Sequence, residues 1–77
     1  MKLITKTFIL KSENMEIVIS HNKIDYEVIA GIGDNIDYEK SYTKNNLPAQ
    51  YQKMLQLEKG ETILNNLVCT DVEIDDF

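Results

Sequence analysis

The chain contains no arginine: all eight of its basic residues are lysines, set against 13 acidic ones. Arginine has the shape for bidentate contact with phosphates and base edges, so its absence argues against direct nucleic-acid binding. There is one cysteine, Cys69, which excludes an internal disulfide and a cysteine-based zinc site. A reducing, cytoplasmic setting is the expectation. No apolar run approaches the length of a membrane span, and Thr5, Lys6 and Thr7 interrupt the N-terminal apolar segment before it forms a signal-peptide core. No membrane partner is expected. Internal repeats, low-complexity tracts and linkers are all missing, so the 77 residues predict one small domain covering 1–77. Hydrophobic content of 43% suffices for a thin core under one side of a sheet. It does not suffice to wall a deep substrate cavity, so neither catalysis nor a cofactor is expected.

What the chain does have is alternation. From Lys23 to Thr43 the even positions read Ile24, Tyr26, Val28, Ala30, Ile32, Ile36, Tyr38 and Tyr42. The odd positions include Asp25, Glu27, Asp37 and Glu39. Period two marks a strand with one buried and one wet face. Here two strands are joined by a loop at Gly33-Asp34-Asn35, whose residues suit positive φ. Pairing Ile32 with Ile36 sets Ala30 by Tyr38, Val28 by Lys40 and Tyr26 by Tyr42.

The flanking segments extend the pattern. Lys2 to Leu10 reads as a strand with mixed faces, which suits a sheet edge where Lys6 leans inward. Lys11 to Asn14 is a connection of hairpin length. Met15 to Ser20 is a second strand with Met15, Ile17 and Ile19 on one face. A two-residue turn at His21-Asn22 pairs Ile19 with Ile24 and Ile17 with Tyr26.

Beyond Thr43 the period changes. Pro48 suits the first turn of a helix, and the apolar spacing predicts a helix from about Pro48 to Lys59. A further helical turn or two is expected from Glu61 to Asn66, with Gly60 as terminator or interruption. From Val68 the period returns to two, setting Val68, Thr70, Val72 and Ile74 against Cys69, Asp71, Glu73 and Asp75. A returning fifth strand and a frayed acidic tail both fit residues 68–77. The expected fold is α+β: a four-stranded antiparallel meander, or five-stranded with the return, carrying one helical segment on its apolar face.

The candidate binding residues follow from this phase. Glu16, Asp25, Glu27, Asp37, Glu39, Asp71 and Glu73 are expected on the side away from the helix, with Asp75 in the same phase. Like charges on neighbouring strands repel, and a sheet needing only solubility can interleave lysine instead. The plainer account is a solvated face on an acidic protein. The functional one is a surface that docks on a basic protein partner, nucleic-acid-binding proteins included. Small inhibitors carried by phages and mobile elements act in this way on host or defence proteins, a likeness of size and charge and not of motif. The competing class is a structural or oligomerising subunit that uses a sheet edge or Val18 and Ile29, and homo-oligomers stay open.

Other constellations carry less. Asp34-Asn35-Ile36-Asp37 lacks the oxygen ligands, central glycine and closing glutamate of a calcium loop, and no metal is expected. His21 reads as a turn residue and Cys69 as a small buried hydrophobe. Tyr26, Tyr38, Tyr42 and Tyr51 read as core with hydroxyls at the rim. Gly31 and Gly33 sit in a hairpin with no lysine-serine following, so they form no phosphate loop.

Overall fold

The computed structural model describes all residues, Met1–Phe77. Alternation and β-branched content build six strands: β1 (Lys2–Leu10), β2 (Met15–His21), β3 (Asp25–Ile32), β4 (Asn35–Thr43), β5 (Thr62–Ile63) and β6 (Leu67–Asp76). They form one antiparallel sheet in the order β4-β3-β2-β1-β6-β5. The first four are the expected meander. The tail is not frayed: β6 returns along the whole of β1, and the two-residue β5 makes a sixth strand. β1 is therefore central and not an edge.

One short helix, α1 (Ala49–Met54), covers the apolar face, well short of the expected Pro48 to Lys59. Lys6 supplies a reason for the stop. It is only 8% exposed, and its ammonium donates to the carbonyls of Leu55 and Leu57, both at 2.8 Å. A continuing helix needs those carbonyls for the N–H groups of residues 59 and 61. Gly60, at φ +91°, then reverses the chain. Its N–H donates to the Cys69 carbonyl at 2.7 Å, and Cys69 N–H donates to the Glu61 carbonyl at 3.0 Å. The expected second helical stretch, Glu61 to Asn66, is thus the β5–β6 hairpin. Leu64, within that stretch, stands at its tip, 92% exposed.

The core is one thin layer: Phe8, Ile17, Ile19, Val28, Ala30, Leu67 and Cys69 from the sheet, and Met54 from α1. Three local departures decide which residues reach it. Asn22 Oδ1 accepts the N–H groups of Ile24 at 3.0 Å and Asp25 at 2.8 Å, so the β2–β3 loop is Asn22–Ile24 and not His21-Asn22. Ile19 then pairs with Val28, and Ile17 with Ala30. The slip preserves phase, and Ile24, expected inside, is 67% exposed.

Bulges interrupt two strands. β3 and β4 keep the expected pairs Tyr26–Tyr42, Val28–Lys40 and Ala30–Tyr38, but then Gly31 pairs with Ile36 and Ile32 with Asn35. Asp37 is the extra residue, and Ile36 changes faces. Glycine is required at 31, because a Cβ there lies 1.9 Å from the Asn35 carbonyl oxygen. In β6 the register shifts so that Thr7 meets Asp71 while Phe8 meets Cys69. Thr70 is the extra residue. That shift carries Cys69 and Leu67 into the core and leaves Asp71, Glu73 and Asp75 on the opposite side.

Candidate acidic sheet face

The strand registers place the candidate carboxylates in rows that run across the uncovered face. One row reads Glu73–Thr5–Ser20–Glu27–Ser41, and the next Asp71–Thr7–Val18–Ile29–Glu39. A third, Val68–Ile9–Glu16–Gly31–Ile36, brings in Glu16. Asp25 sits opposite Thr43 at the end of the face. Glu16, Asp25, Glu27, Glu39, Asp71 and Glu73 thus share one side. Asp37 does not join the rows, since as the bulge residue it opposes no β3 residue.

Most of the charge is distributed as two flanks, with Glu16 on β2 between them at one end of the face. At about 4.8 Å per strand, Glu73 and Glu27 lie roughly 14 Å apart, and Asp71 and Glu39 roughly 19 Å. Between the flanks run Thr5, Thr7, Val18, Ser20 and Ile29, all half-buried. Ile36, turned onto this side by the bulge and 63% exposed, borders Val18 and Ile29. The apolar stripe was only partly legible, because nothing local announces that Ile36 leaves the phase of Tyr38.

The strand lysines take the other side. Lys2, Lys6 and Lys40 all belong to the covered phase by register. Only Lys59, from the loop before β5, reaches a candidate carboxylate, lying 3.8 Å from Asp71. Both ends of that pair are largely exposed, so the contact is weak.

The remaining reactive side chains are separated. Cys69 is fully buried, and burial raises its thiol pKa above the ordinary value, which makes it a poor nucleophile. By register His21 meets Ile4 while Cys69 meets Phe8, about 13 Å apart along β1. They form no nucleophile–base pair. His21 stacks on Tyr26 with ring centroids 4.8 Å apart, and burial, with Lys6 and Lys23 nearby, lowers its pKa. The tyrosines line the rim of the covered side: Tyr38 and Tyr42 share a hydroxyl hydrogen bond, and Tyr42 lies 6.0 Å from Tyr51. No group of three or more His, Cys, Asp or Glu is placed to hold a metal ion. No helix is long and apolar enough to cross a membrane.

Comparison with known proteins finds no matching family model, no curated relative and no matching solved structure. The face must be read from its own chemistry.

Proposed function

We propose that this chain is a non-enzymatic binding module whose uncovered acidic face docks on a basic protein, of the kind that ordinarily holds nucleic acid. The observation that carries the reading is the segregation of charge. Six of the candidate carboxylates share the uncovered face, while every strand lysine belongs to the covered phase. A merely soluble sheet has no need to sort its charges by face.

Magnitudes indicate how the surface works. Carboxylates two residues apart on a strand are about 6.8 Å apart, against one phosphate per about 3.4 Å along a DNA strand. The flanks have about half that linear charge density. Charge then steers the encounter and selects the partner, while Val18, Ile29 and Ile36 contribute apolar burial between the flanks. An inhibitor that occupies a nucleic-acid groove fits this division of labour.

The test immobilises the chain and its E27K/E39K double variant, both positions being exposed, and identifies what each retains from the natural host. A basic protein should bind the parent chain, elute as salt shortens the Debye length toward about 10 Å, and compete with its own nucleic acid. Equal retention by the double variant rejects the proposal.

A second reading, self-association through β4, is favoured by one observation. β4 is an edge strand exposed along its whole length except at Tyr42. Sedimentation at two salt concentrations separates the readings, since edge pairing through backbone groups responds little to salt.

A further inference from the structure

At one end of the acidic face, where the β2–β3 loop meets the last residues of β4, lies a cleft of ≈ 600 Å³. Its volume falls within the usual range for ligand sites, about 300–1,000 Å³. From the uncovered phase it is lined by Leu3, Ser20, Asp25, Glu27, Ser41 and Thr43, and the covered-phase residues His21, Tyr26 and Tyr42 with the loop residues Asn22 and Asn46 complete the wall. Of the two carboxylates in the lining, Glu27 belongs to a flank and Asp25 follows it on the same side of β3, and none of the eight lysines contributes to the wall.

The hydrogen-bonding inventory narrows the ligand. Asn46 Oδ1 is already committed to the Thr43 N–H at 2.6 Å and hydroxyl at 3.1 Å, and Asn22 Oδ1 to its own loop. The Ser20 hydroxyl is shared with Thr5 at 3.2 Å. The carboxylates of Asp25 and Glu27 and the hydroxyl of Ser41 have no partner within the chain. Glu27 and Ser41 are directly opposed across β3 and β4, so two free acceptors stand side by side with a third one pair further along.

We infer that this cleft receives an arginine side chain of the protein partner, its guanidinium bridging Glu27, Ser41 and Asp25. The guanidinium is a planar fork of five donors and no acceptor, which matches the two uncommitted carboxylates and the hydroxyl beside them. A lysine ammonium satisfies the charge but not the paired geometry. Leu3 supplies an apolar contact for the aliphatic stem. The inference rests on the acidic-face reading, and it names the side chain that anchors the partner.

The test needs no knowledge of the partner. The full chain is titrated with the capped tripeptide acetyl-Gly-Arg-Gly-amide, and backbone amide resonances are followed by NMR. Saturable shifts are expected at Ser20, Glu27 and Ser41, with weaker binding of the lysine tripeptide. E27Q and D25N should each weaken arginine binding about tenfold, while E13Q and D34N, in the hairpin loops at the opposite end of the sheet, should leave it unchanged. No saturable shift at those amides up to about 10 mM peptide overturns the assignment. So do equal losses in E13Q and D34N, which mean diffuse attraction only. A partner that is lost on E27K/E39K while the tripeptide fails to bind removes the arginine anchor and keeps the docking face. Tripeptide binding with full retention of host proteins by E27K/E39K does the reverse.

Discussion

The Lys6 ammonium lies 2.8 Å from the carbonyl oxygen of Leu55, joining the centre of the sheet to the last turn of the only α-helix. The same ammonium reaches Leu57, and no carboxylate shares the site. A cation at a helix C-terminus is favourable to the helix dipole, so the contact both ends α1 and holds it down.

Replacing Lys6 with methionine keeps most of the packing volume but removes the donors. The two half-buried carbonyls are left unsatisfied, at a cost of about 2–3 kcal/mol in total. Urea unfolding of Lys6→Met should show the midpoint falling by the corresponding amount. An unchanged midpoint means that water replaces the ammonium freely.

His21 gives the fold a pH dependence of known sign. Its pKa is lowered from 6.5 in the folded chain, first by burial and then by Lys6 and Lys23. The unfolded chain therefore binds the proton more readily. Stability from this group is complete above about pH 6.5 and is lost as pH falls through the lowered folded value. His21→Phe keeps an aromatic ring against Tyr26 and lacks the titration. Melting temperatures measured from pH 7.5 to 5 should fall more steeply for the parent chain than for the variant.

Gly31 and Gly33 separate close approach from backbone conformation. Gly31→Ala drives a Cβ into the Asn35 carbonyl, 1.9 Å away, and must break the bulge or move β4. Gly33 has φ +61° but nothing within 4 Å of a Cβ, so Gly33→Ala costs about 1–2 kcal/mol. Thermal unfolding should rank Gly31→Ala as the more damaging. The reverse order contradicts the bulge.

Leu64 combines φ +54° with nearly complete exposure. It bears the cost of a left-handed backbone with almost no burial to offset it. Leu64→Asn suits that conformation and should stabilise the chain by about 0.5–1 kcal/mol. Hydrogen bonds from Ser12 N–H to Asn66 Oδ1 at 2.9 Å and from Lys11 N–H to the Asn66 carbonyl at 2.7 Å hold the tip in place. A destabilised Leu64→Asn shows that the leucine packs on something in solution.

What the sequence by itself determined is the division of faces. Side-chain direction along a strand is a local property of two-residue period, so Ile17, Ile19, Val28 and Ala30 declared the core and Glu27 and Glu39 the uncovered face. The Tyr26–Tyr42 pairing was reached through the wrong turn: the loop pairs Ile32 with Asn35 and not Ile36, and the Asp37 bulge restores the expected register beyond it. The central place of β1, the end of α1 at Lys6, and the hairpin at Leu64–Asn66 were decided by tertiary structure. Each depends on partners far away in sequence: β1 on β6, Leu55 on Lys6, Asn66 on Lys11. The bulges at Asp37 and Thr70 belong with these. A single extra residue moves Ile36 onto the acidic face and Cys69 into the core, and only the opposing strand determines where that residue falls.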